Sequence, residues 1–189
     1  MATAGLPDRV DRAETLETFR DRWFTISEHM LDLVGMSSDS GQLAQRIWDT
    51  YCYGGVRLYA DALDVLNTLR DRGKRLGLVS NWSPSLVCTL ERLGIAGHFD
   101  AIAISSMVGF RKPDARLFRV ALDALAVDPA ECAYVGDSVE LDVIGASAAG
   151  ISPILIQRSE AASGSPSSLD ASIPDVQMIR TLSDLLCIA

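Results

Sequence analysis

The sequence has little positive charge and no long hydrophobic run. Its 189 residues include 25 acidic and 17 basic side chains, which gives a formal net charge of −8. This balance argues against a nucleic-acid backbone or an anionic membrane surface as the main partner. No apolar run reaches the ~18 residues of a membrane span, and the first residues lack the features of a secretory signal. The sequence therefore predicts a soluble, cytoplasmic protein with no nucleic-acid or membrane partner.

Cysteine is also scarce, and its spacing excludes two kinds of site. The four cysteines stand apart in apolar surroundings, and no Cys-x-x-Cys pair occurs. We therefore expect buried reduced thiols rather than a zinc site or a disulfide framework. A chain of this length can bury one good core, so one compact domain with an additional element is expected.

Residues 8–57 have the apolar spacing of helices. Apolar side chains recur there every three or four positions, which predicts two amphipathic helices joined near residues 35–41. Aromatic side chains at helical spacing belong to a core more often than to a ligand pocket. The aromatic residues in question are Trp23, Phe24, Trp48, Tyr51 and Tyr53.

From Asp61 onward, helical segments alternate with short apolar strands. This alternation is typical of a mostly parallel α/β sheet, in which ligands bind at the carboxyl ends of the strands. Residues 157–174 are rich in Ser, Ala, Gly and Pro and are predicted to form an exposed loop. The predicted strands are residues 76–79, 101–104, 133–135 and 154–156, and the predicted helices are residues 61–71, 84–93, 115–125, 141–149 and 176–186.

Polar residues follow the predicted strands at three places. Ser80 and Asn81 come after the first strand, Lys112 lies in a later loop, and Asp137 and Asp142 come after the third strand. A pair of carboxylates suits a hard cation, directly or through water. An ammonium group offers a point charge for phosphate, and a hydroxyl or an amide can donate to phosphate oxygens. We expect these residues to form one site, because the carboxyl ends of parallel strands lie at one edge of the sheet.

The segments that contain these residues resemble the second, third and fourth motifs of the haloacid dehalogenase (HAD) superfamily, whose members are mostly magnesium-dependent phosphatases. The resemblance covers about residues 58–186. It implies an α/β fold with a three-layer, Rossmann-like core over residues 58–189, preceded by the family's small helical cap (C1 type) over residues 1–57. The three segments are Leu76-Gly-Leu-Val-Ser80-Asn81, Val108-Gly-Phe-Arg-Lys112-Pro113-Asp114 and Ala133-Tyr-Val-Gly136-Asp137-Ser138-Val-Glu-Leu-Asp142.

The resemblance also implies a role for each polar residue. Lys112 and Asp137 would act in catalysis. Ser80, Asn81 and Lys112 would bind the phosphate group of a small phosphorylated substrate. Asp137 and Asp142 would hold Mg²⁺, which offsets charge repulsion during phosphoryl transfer.

One motif of the family has no counterpart. The first motif is an apolar strand that ends in Asp-x-Asp-Gly-Thr and supplies the nucleophilic aspartate, and nothing before Leu76 matches it. In the family this strand is the central one, between the strands that bear Ser80 and Asp137. Its absence would leave two inner strands with unpaired backbone groups, each costing ~1–3 kcal/mol. The other early carboxylates do not follow a strand, so we do not expect Asp8, Asp11, Asp61 or Asp64 to replace the nucleophile.

Three outcomes are predicted for the place of the missing strand. The flanking strands pair directly, or another chain donates a strand, or the sequence is a truncated form of an active parent. An unfilled sheet edge also invites pairing, so a homodimer is a further expectation.

The same absence leaves three hypotheses for function. The first is a hydrolase of phosphate monoesters by descent, whose nucleophile lies in a missing or separately supplied segment. The second is a pseudoenzyme that binds a ligand or a protein without catalysis. The third is altered acid/base chemistry by Asp137 or Lys112 in the vacated cleft.

Overall fold

Two helices form the N-terminal part of the computed structural model, which describes residues 14–158 and 176–188. Helix α1 (Leu16–Leu33) begins after Thr15, whose hydroxyl accepts a hydrogen bond from the Thr18 N–H at 3.1 Å. A 3₁₀ turn (Ser37–Asp39) then leads into helix α2 (Ser40–Tyr53). The predicted pair of helices is confirmed for the described residues, whereas residues 8–13 lie outside them.

Aromatic packing holds the two helices together. Trp48 of α2 is only 3% exposed and lies at the centre of the aromatic cluster. Its role as a core residue, predicted from helical spacing, is confirmed. The side chain of Tyr53 lies outside the described residues. The rings that face Trp48 are those of Phe19, Trp23, Phe24 and Tyr51, at centroid distances of 5.2–6.5 Å.

The rest of the chain alternates helices with parallel strands, as the sequence predicts. All four predicted strands occur, and so do the predicted helices between them, with ends that differ by a few residues. The predicted helix at 141–149 begins as a π-helical turn (Val139–Val143) before it becomes regular. The elements are α3 (Ala62–Asp71), β1 (Gly77–Ser80), α4 (Leu86–Arg92), β2 (Ala101–Ile104), α5 (Ser105–Val108), α6 (Ala115–Leu125), β3 (Ala133–Gly136), α7 (Ile144–Ala148), β4 (Ser152–Ile156) and β5 (Gln177–Ile179).

The C-terminal segment differs from the prediction. The expected helix at 176–186 is wrong, because Gln177–Ile179 pairs in parallel with β4 and a 3₁₀ helix (Leu182–Cys187) follows. Met178 is exposed whereas Ile179 is buried, which is the alternation of a strand and not of a helix. Residues 159–175, which contain most of the predicted loop, lie outside the described part of the chain.

The parallel sheet is divided into two parts. One part has the strand order β2–β1, with Ser80 opposite Ile104, and the other has the order β3–β4–β5. Within residues 14–158 and 176–188, no backbone hydrogen bond joins β1 to β3. Of the three outcomes predicted for this place, direct pairing of the flanking strands is therefore wrong. Donation of a strand by another chain and a longer parent sequence stay predictions, as does the boundary between a cap and a core at residues 57 and 58.

Helices on both faces cover the division between the two parts of the sheet. On one face, α6 turns Phe118 toward β3 and α7, and turns Leu117 toward β2. On the other face, α3 packs Val65 against β4 and β5 and packs Leu66 against the cluster formed by α4 and β2. Each fully buried side chain of this kind contributes ~1.5–3 kcal/mol. Hydrophobic packing against these two helices therefore joins parts that the backbone leaves separate.

A search of the helices for a membrane span found none: in the described part of the chain, each is too short or too polar to cross a bilayer.

Candidate functional site

The predicted site residues lie at the carboxyl ends of β1 and β3 and in the loop before α6. Ser80 is the last residue of β1, and Asp137 directly follows β3. Lys112 lies between α5 and α6, and Asp142 lies in the π-helical turn after β3. The structure therefore brings together four residues that are far apart in the sequence.

A buried ion pair lies at the centre of the site. The Lys112 Nζ atom is 2.5 Å from Asp142 Oδ1, and the two side chains are only 13% and 4% exposed. The Tyr134 hydroxyl lies 3.1 Å from the ammonium and 3.2 Å from the same carboxylate oxygen. These two oxygen partners restrict the ammonium group to one position.

The second oxygen of Asp142 holds the loop after β3. Asp142 Oδ2 accepts hydrogen bonds from the backbone N–H groups of Asp137 at 3.1 Å and Ser138 at 3.0 Å. Gly136 makes this approach possible, because a Cβ atom there would lie 2.3 Å from the Asp142 Cβ. Both carboxylate oxygens of Asp142 are thus engaged within the protein. Asp142 positions the Lys112 ammonium and the backbone of Asp137.

Tyr134 connects the two parts of the sheet. Its hydroxyl, on β3, lies 3.1 Å from the backbone carbonyl oxygen of Val79 on β1, to which it can donate its hydrogen bond. Burial raises the pKa of the Tyr134 phenol, and the negative charge of Asp142 raises it further. The phenol therefore stays protonated at physiological pH and remains a donor. Its single hydrogen is available to the Val79 carbonyl or the Asp142 carboxylate.

Asn81 holds the backbone of Lys112. The Asn81 Oδ1 atom accepts from the Lys112 N–H at 2.7 Å, and its Nδ2 atom donates to the Lys112 carbonyl at 3.1 Å. This reciprocal pair attaches the loop before α6 to the end of β1. Asn81 was predicted to donate to phosphate, but here its amide is engaged with the loop.

Ser80 and Asp137 have no such engagement. Among residues 14–158 and 176–188, neither the Ser80 hydroxyl nor the Asp137 carboxylate makes a hydrogen bond or an ion pair. Ser80 is half-buried and Asp137 is exposed. A hydroxyl and a carboxylate without a partner among the described residues therefore lie at the carboxyl ends of β1 and β3.

The donor atoms determine how far the site fits a metal ion. In the described part of the chain, no group of three or more His, Cys, Asp or Glu side chains could hold a metal ion. Mg²⁺ commonly takes one or two carboxylates and completes its shell with waters and phosphate oxygens. The free carboxylate of Asp137 fits such a ligand, whereas the oxygens of Asp142 are already engaged. The predicted Mg²⁺ site of Asp137 and Asp142 stays a prediction.

Two cavities lie near the N-terminal helices. The larger, of about 890 Å³, lies among α1, α2 and Cys88, and its lining includes no residue of the Lys112–Asp142 ion pair. The smaller, of about 360 Å³, contains Tyr51 of α2, Asn81 and Arg111 in its wall. The smaller cavity is therefore the one that adjoins the site.

Sequence reasoning missed two of these residues. Tyr134 was regarded only as part of a buried strand, although a buried phenol requires a hydrogen-bond partner and so marks a polar contact. Arg111 lies within the second HAD-like segment, but nothing in the sequence indicates that it lines a cavity.

The order of the site segments along the chain matches a known family. The model of the haloacid dehalogenase-like hydrolase family matches residues 4–150 of the 189. The chain belongs to the haloacid dehalogenase-like hydrolase family. The resemblance inferred from the three HAD-like segments is thus confirmed, and with it descent from HAD-like hydrolases.

Relatives in the HAD family include proteins of animals and bacteria. The mouse haloacid dehalogenase-like hydrolase domain-containing protein 3 is 32% identical over 172 residues, which cover 89% of this chain and 67% of that protein. The phosphoserine phosphatase of Thermus thermophilus is 44% identical over 104 residues, which cover 53% of this chain and 41% of that protein. The chain thus spans between about two fifths and two thirds of the length of these two relatives.

Solved structures confirm the α/β HAD fold. A HAD phosphatase from Thermococcus onnurineus superposes with a TM-score of 0.64 over 92% of this chain and 89% of that one, at 22% identity. At this identity the likeness concerns the fold alone.

Proposed function

We propose that this chain forms the phosphate-binding core and the small helical cap of a HAD-type hydrolase of phosphate monoesters. The fixed ammonium of Lys112 at the carboxyl ends of β1 and β3 supports this proposal. Asp142 and Tyr134 contact that ammonium, and the Ser80 hydroxyl, which has no partner among the described residues, lies at the end of β1. A fixed cation beside a free donor is an arrangement that binds a phosphate dianion.

The proposed substrate is a small phosphate monoester. The relatives include a phosphoserine phosphatase and, in Methanopyrus kandleri, a glyceraldehyde 3-phosphate phosphatase that is 34% identical over 128 residues. Those names describe those proteins. For this chain, they support the class of small phosphorylated metabolites and not one member of it.

Each site residue has a proposed task. The Lys112 ammonium pairs with one phosphate oxygen, and the Ser80 hydroxyl donates to another. Asn81 and Asp142 keep Lys112 in place through its backbone and its ammonium, respectively. The Asp137 carboxylate would hold Mg²⁺, and the ion, when bound, offsets the negative charge of the phosphate.

The proposed nucleophile is a carboxylate from an Asp-x-Asp strand between β1 and β3. Nothing before Leu76 in this sequence matches that strand, and the facing edges of β1 and β3 are unpaired with each other. We therefore expect this chain to bind phosphate by itself and to hydrolyse esters only when such a strand is supplied.

A binding module without catalysis is the second candidate. It is favoured because the described residues contain no group of three or more His, Cys, Asp or Glu side chains that could hold a metal ion. In this case the edges of β1 and β3 would accept a strand from a partner or from a second copy of the chain.

Phosphate titration followed by calorimetry tests the phosphate site. We expect Lys112→Gln to weaken binding of inorganic phosphate at least tenfold and Lys112→Arg to retain most of it. Lys74→Gln, which removes an exposed lysine, is the matched control and should leave binding unchanged. Circular dichroism checks that each variant is folded. Equal binding by the wild type and Lys112→Gln would contradict the proposed site.

Hydrolysis of p-nitrophenyl phosphate separates the two candidates. A peptide with an apolar strand that ends in Asp-x-Asp-Gly-Thr is added to the chain, with and without Mg²⁺. Magnesium-dependent release that is lost in Asp137→Asn would reject the binding module. Phosphate binding without release under any of these conditions would reject the hydrolase.

A further inference from the structure

We propose that Arg111 binds a second anionic group of the substrate. The substrate would then be a phosphate monoester that carries a carboxylate or another phosphate at its far end. This inference rests on the proposed function, because it concerns the part of the substrate that is not transferred.

The smaller cavity is the proposed place for that group. It is a shallow depression of about 360 Å³ that is open to solvent. Its wall combines α2, the loop after β1, the start of α5 and the loop after α5, so it lies where the N-terminal helices meet the rest of the chain. The lining residues are Tyr51, Asn81, Trp82, Ser83, Ser105 and Arg111.

Arg111 is the one charged residue of that lining. It is half-buried, and its guanidinium makes no hydrogen bond or ion pair with any residue in the described part of the chain. By contrast, Lys112 pairs with Asp142, and Arg158 with Asp61. A partly desolvated guanidinium without a partner is costly, and a carboxylate or phosphate that binds in its planar fork removes the cost.

The hydroxyl groups and the Asn81 amide of the cavity already have partners. The Ser83 hydroxyl lies 3.0 Å from the Tyr51 hydroxyl and 2.7 Å from the Ser85 hydroxyl. The Ser105 hydroxyl donates to the Trp82 carbonyl at 3.3 Å. These contacts hold the wall in place without a ligand, and Arg111 is the charged group of the lining that can select one.

The cavity and the phosphate site belong to one ligand. Asn81 lines the cavity and is hydrogen-bonded to the backbone of Lys112 through both atoms of its amide. Arg111 lines the cavity and directly precedes Lys112, which is not part of the lining. In the proposed arrangement, one short molecule has its phosphate at Lys112 and its second anion at Arg111.

The net charge of the chain would disfavour a doubly anionic ligand. With a net charge of −8, the chain repels a more anionic ligand more strongly than a less anionic one. A preference for the doubly anionic ligand therefore has to come from a local cation.

Calorimetric titration with matched ligands tests the proposal. The ligands are inorganic phosphate, glycerol 3-phosphate, 3-phosphoglycerate and propane-1,3-diol bisphosphate, and the proteins are the full chain, Arg111→Gln and Arg119→Gln. Arg119 is exposed and lies outside the cavity lining. Arg119→Gln therefore removes the same positive charge as Arg111→Gln but leaves the cavity lining unchanged. We expect the wild type to bind 3-phosphoglycerate or the bisphosphate about tenfold more tightly than glycerol 3-phosphate, as one charge-assisted contact provides. The preferred ligand identifies the second anion as a carboxylate or a phosphate.

The variants separate the possible failures. Arg111→Gln should abolish the preference, and Arg119→Gln should keep it. Phosphate binding without any preference in the wild type would overturn the role of Arg111 and leave the proposed function standing. A preference that survives in Arg111→Gln would also overturn it. If the wild type binds no inorganic phosphate, the proposed function fails and this inference fails with it.

Discussion

Replacing Asp142 by Asn removes a buried negative charge and keeps the shape of the side chain. The Asp142 side chain is 4% exposed and the Lys112 side chain beside it is 13% exposed. Little solvent therefore reaches the Lys112 ammonium to compensate for the lost carboxylate charge. Losing one partner of a buried ion pair destabilises a protein by ~3–5 kcal/mol, because the other charge stays buried. The two backbone N–H groups at Oδ2 also lose a charged acceptor. We therefore expect the free energy of unfolding to fall by about 3–5 kcal/mol, out of a total of ~5–15 kcal/mol.

Urea denaturation followed by circular dichroism measures this loss. Lys112→Met is the companion variant, and it should cost less, because Asp142 keeps two backbone donors and the Tyr134 hydroxyl. The double variant should then be more stable than the sum of the single losses predicts, with a coupling of about 0.5–3 kcal/mol. A loss below about 1 kcal/mol in Asp142→Asn, or strictly additive losses, would refute the reasoning.

Three further predictions concern other contacts. Tyr134→Phe removes the donor to the Val79 carbonyl and should cost about 1–3 kcal/mol in urea denaturation, and a negligible loss would contradict the bridge between β1 and β3. Burial alone would raise the pKa of Asp61, but the hydrogen bonds from Arg158 and the Leu182 N–H, with the charge of Arg158, lower it below 3.8. The ionised Asp61 therefore stabilises the fold above the ordinary pKa of aspartate, and this stabilisation is lost as the pH falls through the lowered pKa of Asp61. Between pH 7 and the acid range, the free energy of unfolding should fall more in the wild type than in Asp61→Asn. Burial raises the pKa of the Cys52 thiol to about 12, whereas Cys187 is exposed, so iodoacetamide at pH 8 should label Cys187 first and Cys52 only on unfolding, as mass spectrometry would show.

The helices and inner strands could be predicted because local pattern and tertiary structure agree there. The strand at 101–104 is a short apolar run between polar segments, and the structure has it at the same residues. Strand β5 could not be predicted in the same way, because it has three residues and its conformation depends on pairing with β4. The local sequence around residue 178 fits either a helix or a strand, so the neighbouring strand decides.

The candidate site could be located from sequence, but its internal contacts could not. Ser80, Lys112 and Asp137 were placed together because the carboxyl ends of parallel strands share one edge. Whether a polar side chain meets a ligand or another part of the protein depends on residues distant in sequence. Asn81 meets the backbone of Lys112, and the partners of Asp142 include a lysine that is likewise distant in sequence.

The division of the sheet also determines how stiff the molecule is around the site. A ladder of backbone hydrogen bonds would fix neighbouring strands ~4.8 Å apart. Among the described residues, β1 and β3 are instead linked by the Tyr134 hydroxyl, and α3 and α6 pack across both parts of the sheet. Ser80 belongs to one part and Asp137 to the other, so side-chain packing, and not a backbone ladder, sets the distance between them.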